Sequence, residues 1–535
     1  MPTNAKFLQY LVTSNLIRAI AAAVLGTGLF GLPLLLAGIN GLEYLRESLA
    51  YRYFSSVRIV DGNLANVWHP QGYLISLIQN VIYFSIDNFS SIPWGQFRLR
   101  FNLFGYATNI FINICMFLVL LTTFISRRLT SNDKVLVLVT ALAPIFCFST
   151  AGFYYSTLPD YYHLNIVMVA ASTSLFLWNY RARDVEPSLL QLVAMGAFIG
   201  AAASNKVTML LISLASLSPL IIASRMSSRQ LIARCGMLIG CICVSFYLIF
   251  LSFYLFQWEY VLPALLKIVW FSSTIAVQPN FETILPFYLF GLGYGYILIA
   301  FGCILLFVGF FVIRAKPIEL RRLLVYITIF TVGMVQIWFV FRRPAGTTFF
   351  ESADGLIGVM VMLIVLSQKR KVELGLTMLI IVITLTLTFK EFGLNNWVNS
   401  IRDGKSVTEK GWYLYERTQN LATPVVVVVP DNEYLWGDPY ETLLKGFSDS
   451  PTWNISIGSN YLARFRSPIS FRTEVTSPGP DYPYPENASI LWFDRKEFTA
   501  LKSRYPNLSQ AIQGRYCESL DIHVSFVANL CFPKQ

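Results

Sequence analysis

Between residues 17 and 389 the chain enters one apolar run after another, and short basic segments separate many of them. A helix needs about 20 such residues to cross a hydrocarbon core about 30 Å thick. Within that core only helices and closed barrels satisfy every backbone donor and acceptor. The runs fall near 17–38, 103–125, 134–150, 163–180, 189–204, 206–223, 236–256, 286–313, 323–341, 355–367 and 374–389. They predict about eleven spans and an all-α polytopic membrane domain over 1–390. Charged residues make up only 13% of the chain, against about 25% in a soluble protein. The first run is too long for the apolar core of a secretory signal and more spans follow it, so a retained first helix is expected.

The net charge of +11 would suit a nucleic-acid binder, but its placement suits a membrane. Arg127, Arg128 and Lys134 lie in one short inter-run segment, and Arg181 and Arg183 in another. Arg225, Arg229 and Arg234 form a third cluster, Arg314, Lys316, Arg321 and Arg322 a fourth, and Lys369, Arg370 and Lys371 a fifth. With Lys6 and Arg18 inside, alternation puts every one of these loops on the cytoplasmic face, as the positive-inside pattern requires. The expectation is a multi-pass inner-membrane protein, N-terminus inside and C-terminus outside, surrounded by membrane lipid and binding no nucleic acid. The count requires the run at 189–223 to reverse at Asn205-Lys206, which leaves two halves short for full spans.

The outer face then receives a first loop near 39–102 with interfacial helices, the segments 154–163, 257–286 and 342–354, the Asn205-Lys206 turn, and everything after Lys390. The tail, 391–535, has a different character. PVVVVVP at 424–430 has the length and β-branching of a buried strand; 488–493 predicts a second strand and 494–505 a polar helix. A small extracytoplasmic α/β domain is expected. Six of the eight cysteines lie in or beside apolar runs, where they serve as small packing residues. Cys517 and Cys531 are the two in the tail, and an oxidising compartment would allow them to pair.

Four clusters on the outer face carry chemistry. In RIVDGNLANVWHPQGYLISLIQN, Leu74, Leu77, Ile78, Val81 and Ile82 share one helical face, so 73–84 predicts a helix lying in the interface. Pro70 and Gly72 break the chain before it and would hold Asp61 and His69 at the membrane surface, near Arg58. The plainer alternative makes Asp61 a helix cap. In STLPDYYH, Asp160 and His163 stand among Tyr154, Tyr155, Tyr161 and Tyr162; an aromatic belt with a capping Asp is the plainer alternative. Lys206 interrupts apolar sequence, which in a membrane marks a functional position unless the side chain snorkels to the surface. In FRRPAGTTFFESADG, Arg342 and Arg343 could hold phosphate oxygens bidentately, with Glu351 nearby in sequence. Asp61, His69, Asp160 and His163 also form an N/O donor set, too scattered in sequence to assign a metal.

This order of features resembles the GT-C glycosyltransferases, and within them the bacterial branch related to protein mannosyltransferases and aminoarabinose transferases. Asp61 with HPQGYLISL, then LPDYYHL, then GAFIGAAASNKVTMLL carry the likeness, which covers roughly 1–390 in layout. Two positions depart from the family's pattern: Gly62, not a second acid, follows Asp61, and Arg342-Arg343-Pro344 stands where an Arg-Tyr motif is usual. The resemblance implies inverting transfer of a sugar from a polyprenyl-phosphate donor to a glycan, lipid or protein acceptor. Asp61 would be the base and Asp160 a second catalytic-site residue that orients the acceptor or holds a metal, with Lys206 and one of Arg342 and Arg343 on the phosphate. Arg58, His69, His163 and Glu351 would complete the substrate site. No cofactor is implied, and a divalent cation is left open. Two other readings stay open: a non-enzymatic transporter of lipid or solute, and a catalytically inactive GT-C-like subunit that presents its tail to a partner. Transporters tend to show repeated halves and midplane charges; here the charges sit at span ends and no repeat is evident.

Overall fold

The structure is a computed structural model that describes residues 3–39, 71–89, 97–147, 161–182, 185–222, 227–274, 320–342, 346–366, 425–429, 453–457, 484–495, 506–523 and 526–534, with 52–53, 55–56, 59–60, 64, 413 and 417. The expected spans near 286–313 and 374–389 lie outside the described residues. In chain order the helices before the tail are α1 (Thr3–Ile39), α2 (Tyr73–Phe89), α3 (Phe97–Ile125), α4 (Ser131–Cys147), α5 (Tyr161–Arg181), α6 (Leu189–Asn205), α7 (Val207–Ala215), α8 (Pro219–Ile222), α9 (Ser228–Phe253), α10 (Trp258–Thr274), α11 (Leu320–Arg342) and α12 (Gly346–Leu366). The tail holds β1 (Val425–Val429), β2 (Trp453–Ile457), β3 (Ser489–Arg495), α13 (Pro506–Ile512), β4 (Cys517–His523) and β5 (Phe526–Cys531).

Among the described residues three helical stretches are long and apolar enough to cross a membrane: Asn15–Pro33, Leu99–Ile125 and Arg229–Phe253. Their surfaces suit lipid. Along α3, Leu99, Leu103, Tyr106, Ile110, Ile114 and Leu118 are exposed, whereas Arg100, Thr108 and Thr123 are buried. Exposing that apolar stripe to water would cost about 25 cal/mol per Å²; hydrocarbon removes the cost, because lipid tails are as apolar as Leu. Helix α5 is buried on nearly every side, as is α12 from Leu356 to Val365. A helix apolar all round belongs at the centre of a bundle.

Small residues bring these helices together. A Cβ built on Gly358 of α12 would stand 2.9 Å from Val169 of α5, and one on Gly355 would meet Ile212 of α7 and Gln336 of α11. Gly196 and Gly200, one turn apart in GAFIG, let α6 lie against the backbone of α9, and Ser245 donates to the Ala197 carbonyl across that crossing at 2.9 Å. The glycines of this motif therefore serve packing.

The chain divides into two compact units. One comprises Met1–Leu36, His69–Ile78 and Tyr106–Trp397; the other comprises Ala37–Trp68, Gln79–Gly105 and Val398–Gln535. In this second unit Tyr53 stacks edge-on against Tyr83, Phe101 and Phe104. Arg100 pairs with Asp87 at 3.0 Å, and Ser56 donates to Asn80 at 2.8 Å.

Three expectations need correction. The helix expected at 73–84 runs on to Phe89, because Tyr83 and Ile86 are buried and Asp87 is held by Arg100. The outer loop expected at 257–286 begins with α10, a helix whose exposed Trp258, Leu262 and Leu266 form an apolar stripe. The outer loop expected at 342–354 is helical from Gly346 onward, so Glu351 stands in a helix instead of a loop.

In the tail, five strands form a sheet in the order β2-β1-β3-β5-β4. β1 is parallel to β2 and β3, and β5 is antiparallel to β3 and β4. Leu508 of α13 packs on Ile490, Trp492 and Cys531. The start of the polar helix expected at 494–505 is corrected as well: Asp494 and Arg495 extend β3, because they pair with Val527 and Phe526 of β5, and 496–505 lie outside the described residues. Cys517 and Cys531 are register partners on β4 and β5 and form a disulfide.

Candidate functional site

The site is built from a chain reversal. Helix α6 ends at Asn205, Lys206 is extended at φ −156° and ψ 130°, and α7 starts at Val207. Asn205 lies beside the start of α5: its Nδ2 donates to Asn165 Oδ1 at 2.8 Å and to the Tyr161 carbonyl at 3.3 Å. Eleven residues past Asn205, the Ser216 carbonyl accepts from Asn179 near the other end of α5. α7 therefore runs alongside α5 in the same sense and α6 in the opposite one. The turn at Asn205-Lys206 falls where the apolar run at 189–223 was expected to reverse.

The turn in HPQGY docks on this reversal. Gly72, at φ 83°, donates its N–H to the Asn205 carbonyl at 2.6 Å. Its neighbour Gln71 donates to the Tyr161 hydroxyl. On the other side, Tyr73 stacks on Phe250 of α9 at 3.9 Å and meets Phe253 edge-on. Three consecutive residues are thus pinned to α5, to the reversal and to α9. The left-handed backbone at Gly72 is what permits so tight a turn, since a Cβ there is strained.

Lys206 is only 6% exposed, and a lysine that deep in an apolar bundle stays only where polar groups surround it. Asn205, Asn165 and His163 are all fully buried around this end of α5. His163 meets Phe30 of α1 edge-on at 4.7 Å, so its ring is enclosed in the helical core. Among the described residues, Asn205 Oδ1 and Asn165 Nδ2 have no hydrogen-bond partner. Each such buried polar atom costs about 1–3 kcal/mol unless satisfied, and both can bond to a water or to a ligand hydroxyl. On the next turn of α7 the Thr208 carbonyl accepts from Gln336 of α11 at 3.4 Å.

Helix α11 also touches α8. Only six residues follow Gln336 in α11, so it must run antiparallel to α7, and its last residue, Arg342, lies on the Lys206 side. Only three residues separate Arg342 from Gly346, so α12 starts at the same end, and it carries Glu351 in its second turn. Lys206, His163 and the helix positions of Arg342 and Glu351 are therefore at one end of the bundle. The side chains of Arg342 and Glu351 are not among those described. Arg58, Asp61, His69, Asp160 and Arg343 lie outside the described residues. Among the described residues no group of three metal donors forms.

The other end is chemically distinct. Arg181 closes α5, twenty residues and about 30 Å from Tyr161 at 1.5 Å per residue. Its guanidinium holds the buried Asp133 through bonds of 3.0 and 2.9 Å. Arg234 pairs with Glu186 at 2.6 Å. The expected topology signals thus take part in ion pairs, roughly one hydrocarbon thickness away from the polar cluster.

Gln71, Tyr161 and Asn165 belong to this site although sequence reasoning did not select them for it. Tyr161 and Asn165 are four apart on one helix face, which was a usable signal; the reach of Gln71 across ninety residues was not. The class defined is a mostly helical chain with helices long and apolar enough to cross a membrane and a polar cluster at one bundle end. No family model, curated protein or solved structure matches it.

Proposed function

We propose that the chain is an integral membrane glycosyltransferase that passes a sugar from a polyprenyl-phosphate donor to a glycan, lipid or protein acceptor on the outer face of the inner membrane. The N-terminus is then inside and the tail outside, where the disulfide between Cys517 and Cys531 suits an oxidising compartment. The observation that carries this reading is the gathering of Gln71, Gly72 and Tyr73, the start of α5 and the buried Lys206 at one bundle end.

In the proposed reaction Asp61 takes the proton of an acceptor hydroxyl. The acceptor oxygen attacks the anomeric carbon, the bond from that carbon to the phosphate oxygen breaks, and polyprenyl phosphate leaves with the electron pair. Configuration inverts. Lys206 with Arg342 or Arg343 offsets the charge growing on the leaving phosphate. Asp160 and His163 orient the acceptor, while Arg58, His69 and Glu351 contact substrate. No cofactor enters this scheme.

Mass spectrometry of lipid extracts from cells lacking the chain tests the proposal. One polyprenyl-phosphate sugar should accumulate, and wild-type protein should clear it where equal amounts of Asp61→Asn or Lys206→Ala do not. Unchanged lipid-linked sugars would defeat the proposal. Clearance by Asp61→Asn with loss in Lys206→Ala would favour a transporter that binds the lipid phosphate.

A further inference from the structure

A second site lies at the opposite end of α5. Ala171, Leu175 and Trp178 of α5 face Gln191, Ala194, Met195 and Phe198 of α6 across a cleft of about 330 Å³. The two helices are antiparallel, so the cleft has a direction. Trp178 and Gln191 lie at its Arg181 end, and Ala171 and Phe198 at the other end, seven residues or about 10 Å further along each helix. Among the described residues lining it, Gln191 and the Trp178 indole carry polar atoms, and both sit at the Arg181 end. There the guanidinium of the exposed Arg128 lies over the Trp178 ring at 4.8 Å, with the exposed Arg127 beside it in sequence. Arg181 and Arg234 are engaged by Asp133 and Glu186, whereas no ion pair holds Arg128 among the described residues.

An apolar cleft with a guanidinium at one end, at the far end of the bundle from the polar cluster, has the polarity of a phospholipid. We propose that it holds one acyl chain of an anionic phospholipid, with the lipid phosphate at Arg128 and the chain running from Trp178 down to Phe198. The arginine is what selects charge: a guanidinium attracts a phosphate diester of net negative charge and gains little from a zwitterionic headgroup whose ammonium offsets it. The site is separate from the proposed transfer chemistry and stands or falls without it.

The full chain is reconstituted into phosphatidylcholine nanodiscs doped with phosphatidylglycerol or phosphatidylcholine bearing the same photoreactive acyl chain, irradiated, and mapped by peptide mass spectrometry. The phosphatidylglycerol probe should label the peptides carrying Ala171, Leu175, Ala194 and Phe198 about five-fold more than its phosphatidylcholine twin, the preference one basic residue at an anionic surface supports. Arg128→Gln should erase that preference, and Ala194→Trp should block labelling of the cleft by filling it. Equal labelling by the two probes, or a preference unchanged in Arg128→Gln, would reduce the cleft to an ordinary lipid-facing surface. Labelling elsewhere on the protein but not in the cleft would mean that something else covers it, and would also overturn the proposal.

Discussion

Replacing Gly200 by Ala should loosen the crossing of α6 on α9, and the expected size follows from the geometry. The new Cβ would stand 2.6 Å from the Ile242 carbonyl oxygen, 2.8 Å from Ser245 Cβ and 2.9 Å from the Phe246 nitrogen. Two of those three atoms are backbone and cannot rotate away, so the helices must separate. Overpacking of this kind costs about 1–3 kcal/mol. Ala in a helix interior returns about 0.5–1 kcal/mol through lower unfolded-chain entropy, leaving a net loss of roughly 1–2 kcal/mol. Gly240 supplies the control, because a Cβ there meets nothing within 4 Å. Gly240→Ala should keep the entropic gain and be neutral to slightly stabilising. Unfolding midpoints of the purified proteins in SDS titrations, followed by tryptophan fluorescence, should therefore move in opposite directions. A Gly200→Ala protein as stable as Gly240→Ala would refute the close crossing. It would also remove the reason for holding Asn205-Lys206, at the end of α6, in one place.

Gly72→Ala forces a side chain into the left-handed region at φ 83° and should cost about 1–2 kcal/mol; a wild-type midpoint in the same titration would show that the turn is not held as described. Cys517 and Cys531 close a loop with a sequence separation of 14, so replacing both by Ser should cost the tail about 3 kcal/mol. Faster proteolysis of the tail, and thiol labelling of wild type only after reduction, would be the readouts. For topology, a reporter fused after Gln535 should be active outside and one fused after Arg128 active inside; activity on the same side for both would end the eleven-span reading.

Several features are legible in the sequence alone. The reversal at Asn205-Lys206 could be read because a lysine between two short apolar halves has few other places to go, and β1 because five consecutive valines suit little but a buried strand. β4 and β5 were not legible. CESLDIH and FVANLC alternate weakly, and what holds them is mutual pairing and a disulfide, which are tertiary facts. The extension of β3 through Arg495 has the same origin, since partner strand β5 outweighs local polarity there. Helix α10 was missed because Pro263 and two charges, Glu259 and Lys267, interrupt its apolar period. At the site, the motifs were visible singly, but their meeting depends on bonds such as Gln71 to Tyr161 and Gly72 to Asn205 that no local pattern encodes.

The central claim is that Asp61 is the base of a transfer reaction for which Lys206 holds the leaving phosphate. Its most direct test is the single-turnover transfer rate of purified Asp61→Asn in proteoliposomes, using the lipid-linked sugar that accumulates in cells lacking the chain. Asn keeps the shape of the side chain and its capacity to cap a helix but cannot take a proton, so the rate should fall about 10²–10⁴-fold while the SDS midpoint stays at the wild-type value. A folded Asp61→Asn protein that transfers at the wild-type rate would contradict the account.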